Sequence, residues 1–119
     1  EDEPGVRRLV NETLRLHGYT VLEARHGIEA LLTGAKHAGP IHLLLTDVVM
    51  PQMSGPEVAE KLATVRPEVK VLYMSGYPDH PAFSKGGIDT EHSFLQKPFT
   101  TTQLLQRLRE TLAAADRPA

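Results

Sequence analysis

The 119-residue sequence predicts an α/β fold, a doubly wound parallel sheet with helices on both faces in three α/β/α layers. Three observations carry that reading. Stretches with helical spacing of apolar residues alternate along the chain with short β-rich runs. One run, Ile41 to Thr46, is apolar almost without a break, as expected of a central parallel strand covered on both faces. Residues with chemical capability, Asp47, Ser75 and Lys97, stand where such runs end, the edge at which open α/β sheets gather function.

Taken in order, Val6, Leu9, Val10 and Leu14 recur at helical spacing, with Pro4 suited to the first turn and Gly18 to the position past the end. Tyr19 to Ala24 is short and β-rich and reads as a strand. His26-Gly27 breaks it. Ile28, Leu31, Leu32 and Ala35 then line one face of a second helix ending near Gly39-Pro40. The strand Ile41 to Thr46 leaves Asp47 at its C-terminal edge. After the Met50-Pro51-Gln52-Met53-Ser54-Gly55 loop, Val58, Leu62 and Val65 mark a third helix that Pro67 closes. Val69 to Met74 is a second buried strand, ended by Ser75-Gly76. Pro78, Pro81, Gly86 and Gly87 predict a short or distorted helix and much loop between Tyr77 and His92. Ser93 to Gln96 reads as the last strand, and Leu104, Leu105, Leu108 and Leu112 give the last helix an apolar stripe. The length fits a single domain over residues 1–119, with 116–119 as a tail or the start of a linker.

One strand is missing from this order. Acidic residues ahead of the first helix of such a sheet normally end a preceding strand, yet Glu1-Asp2-Glu3-Pro4 opens the chain with a helix pattern right behind it. The expectation is that the strand lies upstream, because leaving out a central strand strands the backbone groups of its neighbours.

Composition narrows the function. The chain has no cysteine, which removes disulfides and thiolate metal sites. A formal charge of −2 gives no basic surplus for nucleic acid, and no apolar run nears the roughly 20 residues of a membrane helix. A cytoplasmic domain without membrane contact is the economical reading.

Four sets of residues distant in sequence are expected to meet at one sheet edge: Glu1-Asp2, Asp47, Ser75 and Lys97. Their types suit phosphoryl transfer. Carboxylates in close range bind a hard cation such as Mg²⁺, which offsets their repulsion. A carboxylate is also a nucleophile able to form an aspartyl phosphate. A hydroxyl and an ammonium nearby would neutralise charge on the transferred group. Singly, each has a plainer reading: an acidic helix cap, a turn cap, a turn serine, an exposed lysine. Their coincidence at strand ends is what points to chemistry.

Along nearly its whole length the sequence resembles the response-regulator receiver domain. The residues that carry the likeness are Glu1-Asp2-Glu3-Pro4, Leu43-Leu44-Leu45-Thr46-Asp47-Val48-Val49-Met50-Pro51, Ser54-Gly55, Met74-Ser75-Gly76-Tyr77 and Phe94-Leu95-Gln96-Lys97-Pro98-Phe99. The resemblance implies a five-stranded flavodoxin-like sheet of order 2-1-3-4-5 with the absent strand at its centre. It implies Asp47 as phosphoacceptor, served by the phosphohistidine of a histidine kinase or histidine phosphotransfer domain. It implies Mg²⁺ (or Mn²⁺) held by Asp2, Asp47 and the Val49 carbonyl, with Glu1 acting through water. Ser75 would bond the phosphoryl oxygen, Lys97 would pair with it, and the Lys97-Pro98 bond would be cis. Ser75 and Phe94 would form the switch; Phe94 lacks a hydroxyl, so switching rests on packing. Val49 and Tyr77 would tune hydrolysis, and an apolar residue with a bulky ring there predicts slow self-dephosphorylation. The broken stretch Pro78 to Asp89 looks more like receivers attached to hybrid sensor histidine kinases than like stand-alone regulators, so the parent protein could itself be a kinase. A bacterial source is implied, direct nucleic-acid contact is not, and a homodimer is left open.

Rival readings fare worse. A haloacid-dehalogenase-type phosphatase needs a second aspartate two residues after Asp47, where Val49 stands. Gly-x-x-x-x-Gly-Lys-Ser/Thr and Gly-x-Gly-x-x-Gly runs are both absent. A pseudo-receiver that binds partners without phosphorylation is the alternative to keep. The six histidines, His17, His26, His37, His42, His80 and His92, are scattered without ligand spacing and read as background.

Overall fold

A computed structural model describes residues 3–50, 52–76 and 94–113. Its elements are α1 (Pro4–Leu16), α2 (Gly27–Lys36), β1 (Leu43–Asp47), α3 (Gly55–Val65), β2 (Lys70–Ser75), β3 (Phe94–Gln96) and α4 (Thr101–Ala113). The expectations for Tyr77 to His92 and for the 116–119 tail lie outside the described residues, as do Glu1 and Asp2.

Among the described residues the sheet has three parallel strands in the order β1-β2-β3. Leu43 lies opposite Lys70 and Asp47 opposite Met74; Tyr73 lies opposite Phe94 and Ser75 opposite Gln96. Side chains alternate across a strand, so each strand feeds two helix layers. On one face Val10 and Leu14 of α1 join Leu72, Met74, Leu95, Leu104 and Leu108 in one buried cluster, with Leu43 and Leu45 packed against it. Thr46 faces the other way, toward the start of α3, whose Val58, Ala59 and Leu62 are buried. The result is a parallel sheet flanked by helices, as the sequence predicts.

Helix ends follow local chemistry. Pro4 occupies the first turn of α1, and Gly18 lies just past its end at φ 89°, a conformation glycine adopts without a Cβ penalty. His26 caps α2, its Nδ1 accepting from the Glu29 N–H at 3.2 Å. The Glu29 carboxylate accepts from the Arg25 N–H at 2.8 Å and from its Nη2 at 3.0 Å. At the other end of α2, the Arg66 guanidinium donates to the carbonyls of Gly34 (3.0 Å), His37 (2.6 Å) and Gly39 (2.6 Å). One side chain thus satisfies the carbonyls that a helix terminus leaves over.

Four expectations need correction. Tyr19 to Ala24 is not a strand, so the described sheet has three strands where the sequence predicts four within this chain. A strand exists through its ladder, and no ladder links this stretch to β1 among the described residues. The face of α2 is reversed. Gly27 and Gly34, two turns apart, lie against α3, where an added Cβ would come within 2.7 Å of Val58 Cγ2 and 2.8 Å of Leu62 Cδ1. That approach is open only to glycine, so Ile28, Leu32 and Ala35 turn outward while Leu31 stays half-buried. Leu9 of α1 and Val65 of α3 also face solvent, being off the buried stripes of their helices.

Leu104 is fully buried where α4 meets β2 and β3. Leu104→Ala is expected to cost about 2–5 kcal/mol in urea unfolding, the transfer and cavity terms together. Gly55 N–H donates to the Val48 carbonyl at 2.9 Å, and a Cβ at this position would collide with the Asp47 carbonyl oxygen. Gly55→Ala should cost about 1–3 kcal/mol through that overlap. Gly5→Ala, with open space around it, should stay within about 0.5 kcal/mol of the parent. The hydrogen bond from the Arg25 backbone, then that from its guanidinium, holds the Glu29 carboxyl below the usual carboxylate range. A depressed folded value means the contribution is present above the unfolded value and fades as pH falls through the folded one. An NMR titration should show Glu29 moving back toward the ordinary range in Arg25→Ala.

Candidate functional site

Three strand ends build the site. Asp47 is the last residue of β1 and only 5% exposed; Ser75 is the last residue of β2 and 4% exposed. Lys97 follows β3 directly. Because the strands are parallel and in register, all three emerge at one edge of the sheet. Hydrogen bonds continue the ladder past the strands: Val48 N–H to the Met74 carbonyl at 3.0 Å, and Lys97 N–H to the Ser75 carbonyl at 2.9 Å. The second of these ties the lysine backbone to the serine backbone.

The Lys97 ammonium lies 2.5 Å from Asp47 Oδ1, with the side chains 21% and 7% exposed. Asp47 Oδ2 is buried too. A carboxylate so far from water needs a counter-charge, and this one has it at bonding distance. The Lys97–Pro98 peptide bond is cis. Val49, two residues beyond the carboxylate on the loop, is 46% exposed, an apolar side chain beside the mouth of the site. Phe94 is half-buried beside Tyr73 on the neighbouring strand, and burial pushes the Tyr73 phenol up from its ordinary value.

Of the residues singled out from sequence, the fold brings Asp47, Ser75 and Lys97 to one sheet edge, with Val49 on the loop after β1, Pro98 next to Lys97 and Phe94 at the start of β3. Glu1, Asp2 and Tyr77 lie outside the described residues. Among the described residues no group of three or more His, Cys, Asp or Glu is gathered as a metal cluster. Among the described residues of this edge Asp47 supplies a hard carboxylate donor, and the acidic residues expected beside it are Glu1 and Asp2.

Two supporting residues escaped the sequence reading although both sit in its motifs. The Thr46 hydroxyl donates to the Asp47 carbonyl at 3.1 Å, fixing the turn that follows the buried carboxylate. Gly55 is required because the loop from Asp47 folds back until α3 begins against the Asp47 carbonyl. The Ser54-Gly55 pair was the available signal: Ser54 caps α3, accepting from the Glu57 N–H at 3.3 Å, and glycine follows where space is least.

Comparison with known proteins gives this edge a context. The family model described as response regulator receiver domain matches residues 1–109. The chain is 36% identical to sensor kinase CckA of Brucella abortus over 98% of its own length, but spans only 12% of that protein. It is 30% identical to response regulator receiver protein CpdR of the same organism, covering 97% of this chain and 94% of CpdR. Among solved structures, the receiver domain of hybrid histidine kinase CckA aligns with a TM-score of 0.78 at 37% identity, covering 94% of both chains. Vibrio cholerae chemotaxis protein CheY4 aligns with a TM-score of 0.81 at 27% identity over 93% of this chain and 92% of its own. With a match of that extent laid over the same sheet edge, the chain belongs to the response regulator receiver domain family.

Proposed function

We propose that this chain is a phosphoacceptor domain of a two-component phosphorelay, taking a phosphoryl group onto Asp47 from a phosphohistidine of a kinase or phosphotransfer partner. The observation that carries the proposal is the buried Asp47 carboxylate held by the Lys97 ammonium at 2.5 Å, at the edge where three parallel strands end. In the reaction an Asp47 carboxylate oxygen attacks phosphorus. The P–N bond to the donor imidazole breaks, its electron pair returning to nitrogen, and an acyl phosphate remains on the aspartate. Lys97 is placed to neutralise charge on the transferred oxygens, and Ser75, one strand over, to donate a hydrogen bond to them.

Mg²⁺ (or Mn²⁺) fits the donor chemistry: hard cations take carboxylate and carbonyl oxygen, and Asp47, the Val49 carbonyl, Asp2 and, through water, Glu1 would supply it. Bound there, the cation would neutralise phosphoryl oxygens and offset repulsion among the carboxylates. The switch would pass from Ser75 to the half-buried ring of Phe94 on β3 and act through packing. Similarity to a hybrid kinase receiver favours a place in a hybrid sensor histidine kinase; similarity to CpdR, of nearly the same length, keeps a single-domain regulator in play. No helix of the described residues is long and apolar enough to cross a membrane, and we place the domain in the cytoplasm.

Labelling with a small acyl phosphate, read as intact mass with and without Mg²⁺, tests the reading. One phosphoryl group should be gained only with the metal and not in Asp47→Asn. Equal gain in Asp47→Asn, or none in the parent, would overturn it in favour of a pseudo-receiver. Lys97→Ala should label roughly 10²–10³-fold more slowly, the usual loss when one charge-stabilising donor is removed. The apolar Val49 side chain offers attacking water no hydrogen bond, so the aspartyl phosphate should outlast the scale of seconds. A half-life of seconds in the parent would remove that assignment from Val49 and Tyr77.

A further inference from the structure

Behind Ser75 the sheet carries a row of side chains on the face turned away from the main buried cluster. Thr46 lies opposite Tyr73, and Tyr73 opposite Phe94, so the three stand side by side across β1, β2 and β3. Leu72, Met74 and Leu95, which alternate with them, turn to the other face and join the cluster with α1 and α4. Ser75 follows on the same face as Tyr73, two residues along β2, and lies opposite Gln96. Thr46 and Ser75 are buried, Tyr73 and Phe94 half-buried, and Gln96 is exposed.

Spacing decides which ring Ser75 meets first. Strands lie about 4.8 Å apart and rise about 3.3 Å per residue, so Phe94 stands about 5 Å from Tyr73 but, along a diagonal, about 8 Å from Ser75. Tyr73 is about 7 Å from Ser75 on the same strand, an interval its long side chain can span. Movement of Tyr73 toward β1 is closed. Thr46 is buried there, its hydroxyl given to the Asp47 carbonyl, and its Cγ2 lies 3.1 Å from the place that a Cβ on Gly55 would take. Among the described residues, the directions left to the ring are those of Ser75 and Phe94. On a strand two χ1 wells are commonly open to such a side chain, which gives the ring two discrete positions. Burial raises the Tyr73 phenol above its ordinary value with no charged group contributing, so the side chain meets its surroundings by volume.

We propose that Tyr73 is the positioning residue that couples Ser75 to Phe94: its ring stands between the two, and its rotamer sets the room in which the Phe94 ring turns. This role rests on Asp47 being the phosphoacceptor, and it supplies the path by which that event reaches β3. A phosphoryl group on Asp47 draws the Ser75 hydroxyl toward its oxygens. The volume beside Ser75 then changes, and the neighbour that answers along the strand is Tyr73. Phe94, next to Tyr73 in the row, follows. Phe94 has no hydroxyl, so the coupling consists of packing and needs ring volume at position 73. Gln96 stands directly opposite Ser75 but is exposed, and an exposed side chain moves without displacing a neighbour.

NMR of ring-labelled phenylalanine tests the coupling. The chain has three phenylalanines, and Phe94→Leu identifies the signal of Phe94. Beryllofluoride with Mg²⁺, a phosphoryl analogue that binds a carboxylate, is the probe, and acyl-phosphate labelling is run beside it on every variant. The Phe94 signal should shift in the parent and in Tyr73→Phe, which keeps the ring. In Tyr73→Ala, and in Tyr73→Leu, which keeps the face apolar where alanine would loosen the fold, the shift should fall to about half or less while Asp47 still takes up label. Gln96→Ala should shift as the parent does. An undiminished shift in either Tyr73→Ala or Tyr73→Leu would overturn the proposal. Loss of the shift in Tyr73→Phe would overturn it too, by handing the role to the hydroxyl, as would loss in Gln96→Ala. A parent that takes up label yet leaves Phe94 unmoved overturns the coupling alone, whereas a parent that takes up no label overturns the assignment of Asp47 on which it rests.

Discussion

A carboxylate buried as deeply as Asp47 is tolerable in a folded protein only with a partner, and the Lys97 ammonium on Oδ1 is that partner. The two residues are fifty positions apart in sequence, so their meeting depends on everything between them. Asp47 is fixed by the pairing of β1 with β2, and Lys97 by the pairing of β3 with β2 and the bond from its own N–H to Ser75. A slip of one residue in either ladder would turn the side chains of that strand to the opposite face and leave the carboxylate facing apolar neighbours. The ion pair is therefore a check on the register of the sheet.

Close packing around the strand ends makes that register stiff. Val48, right after Asp47, is fully buried, and its carbonyl holds the Gly55 N–H as α3 begins. The loop leaving Asp47 is pinned at both ends, by Thr46 on the near side and by the capped start of α3 on the far side. The helices behind it need less uniformity. α2 rests on α3 through two glycines, giving close contact over little side-chain surface, and leaves an apolar stripe outside.

What could be read in the sequence follows the same division. Asp47, Ser75 and Lys97 were legible because a strand end is marked twice, by where an apolar run stops and by the residue that stops it. α1, α3 and α4 were legible because each carries a stripe with the helical period. Tyr19 to Ala24 was read as a strand from its composition, yet strand formation requires a partner, and propensity contains no term for the partner. For α2 the apolar stripe was real and pointed the wrong way, because a glycine face packs by closeness, which a hydrophobic pattern does not count. The His26 cap went unseen since histidine is an uncommon cap; the Glu29 three residues on was the only mark of it.

The pairing of Asp47 with Lys97 also explains why stability and chemistry cannot be separated cleanly here. Removing the lysine alone leaves a buried negative charge uncompensated, so such a change acts on the fold as well as on the proposed reaction. Removing both charges spares the fold that penalty while taking away the proposed phosphoacceptor. A divalent cation would lie between these cases, adding positive charge at the carboxylate without taking away the ammonium. A site built this way holds one negative charge comfortably and has room for more only when cations come with it. A doubly charged group at Asp47 would raise the demand on Lys97 and Ser75 at once; Ser75 ends the strand that carries Tyr73, and Lys97 follows the strand that carries Phe94. The charge change would be local, and the ladder that places the ion pair also sets Tyr73 opposite Phe94.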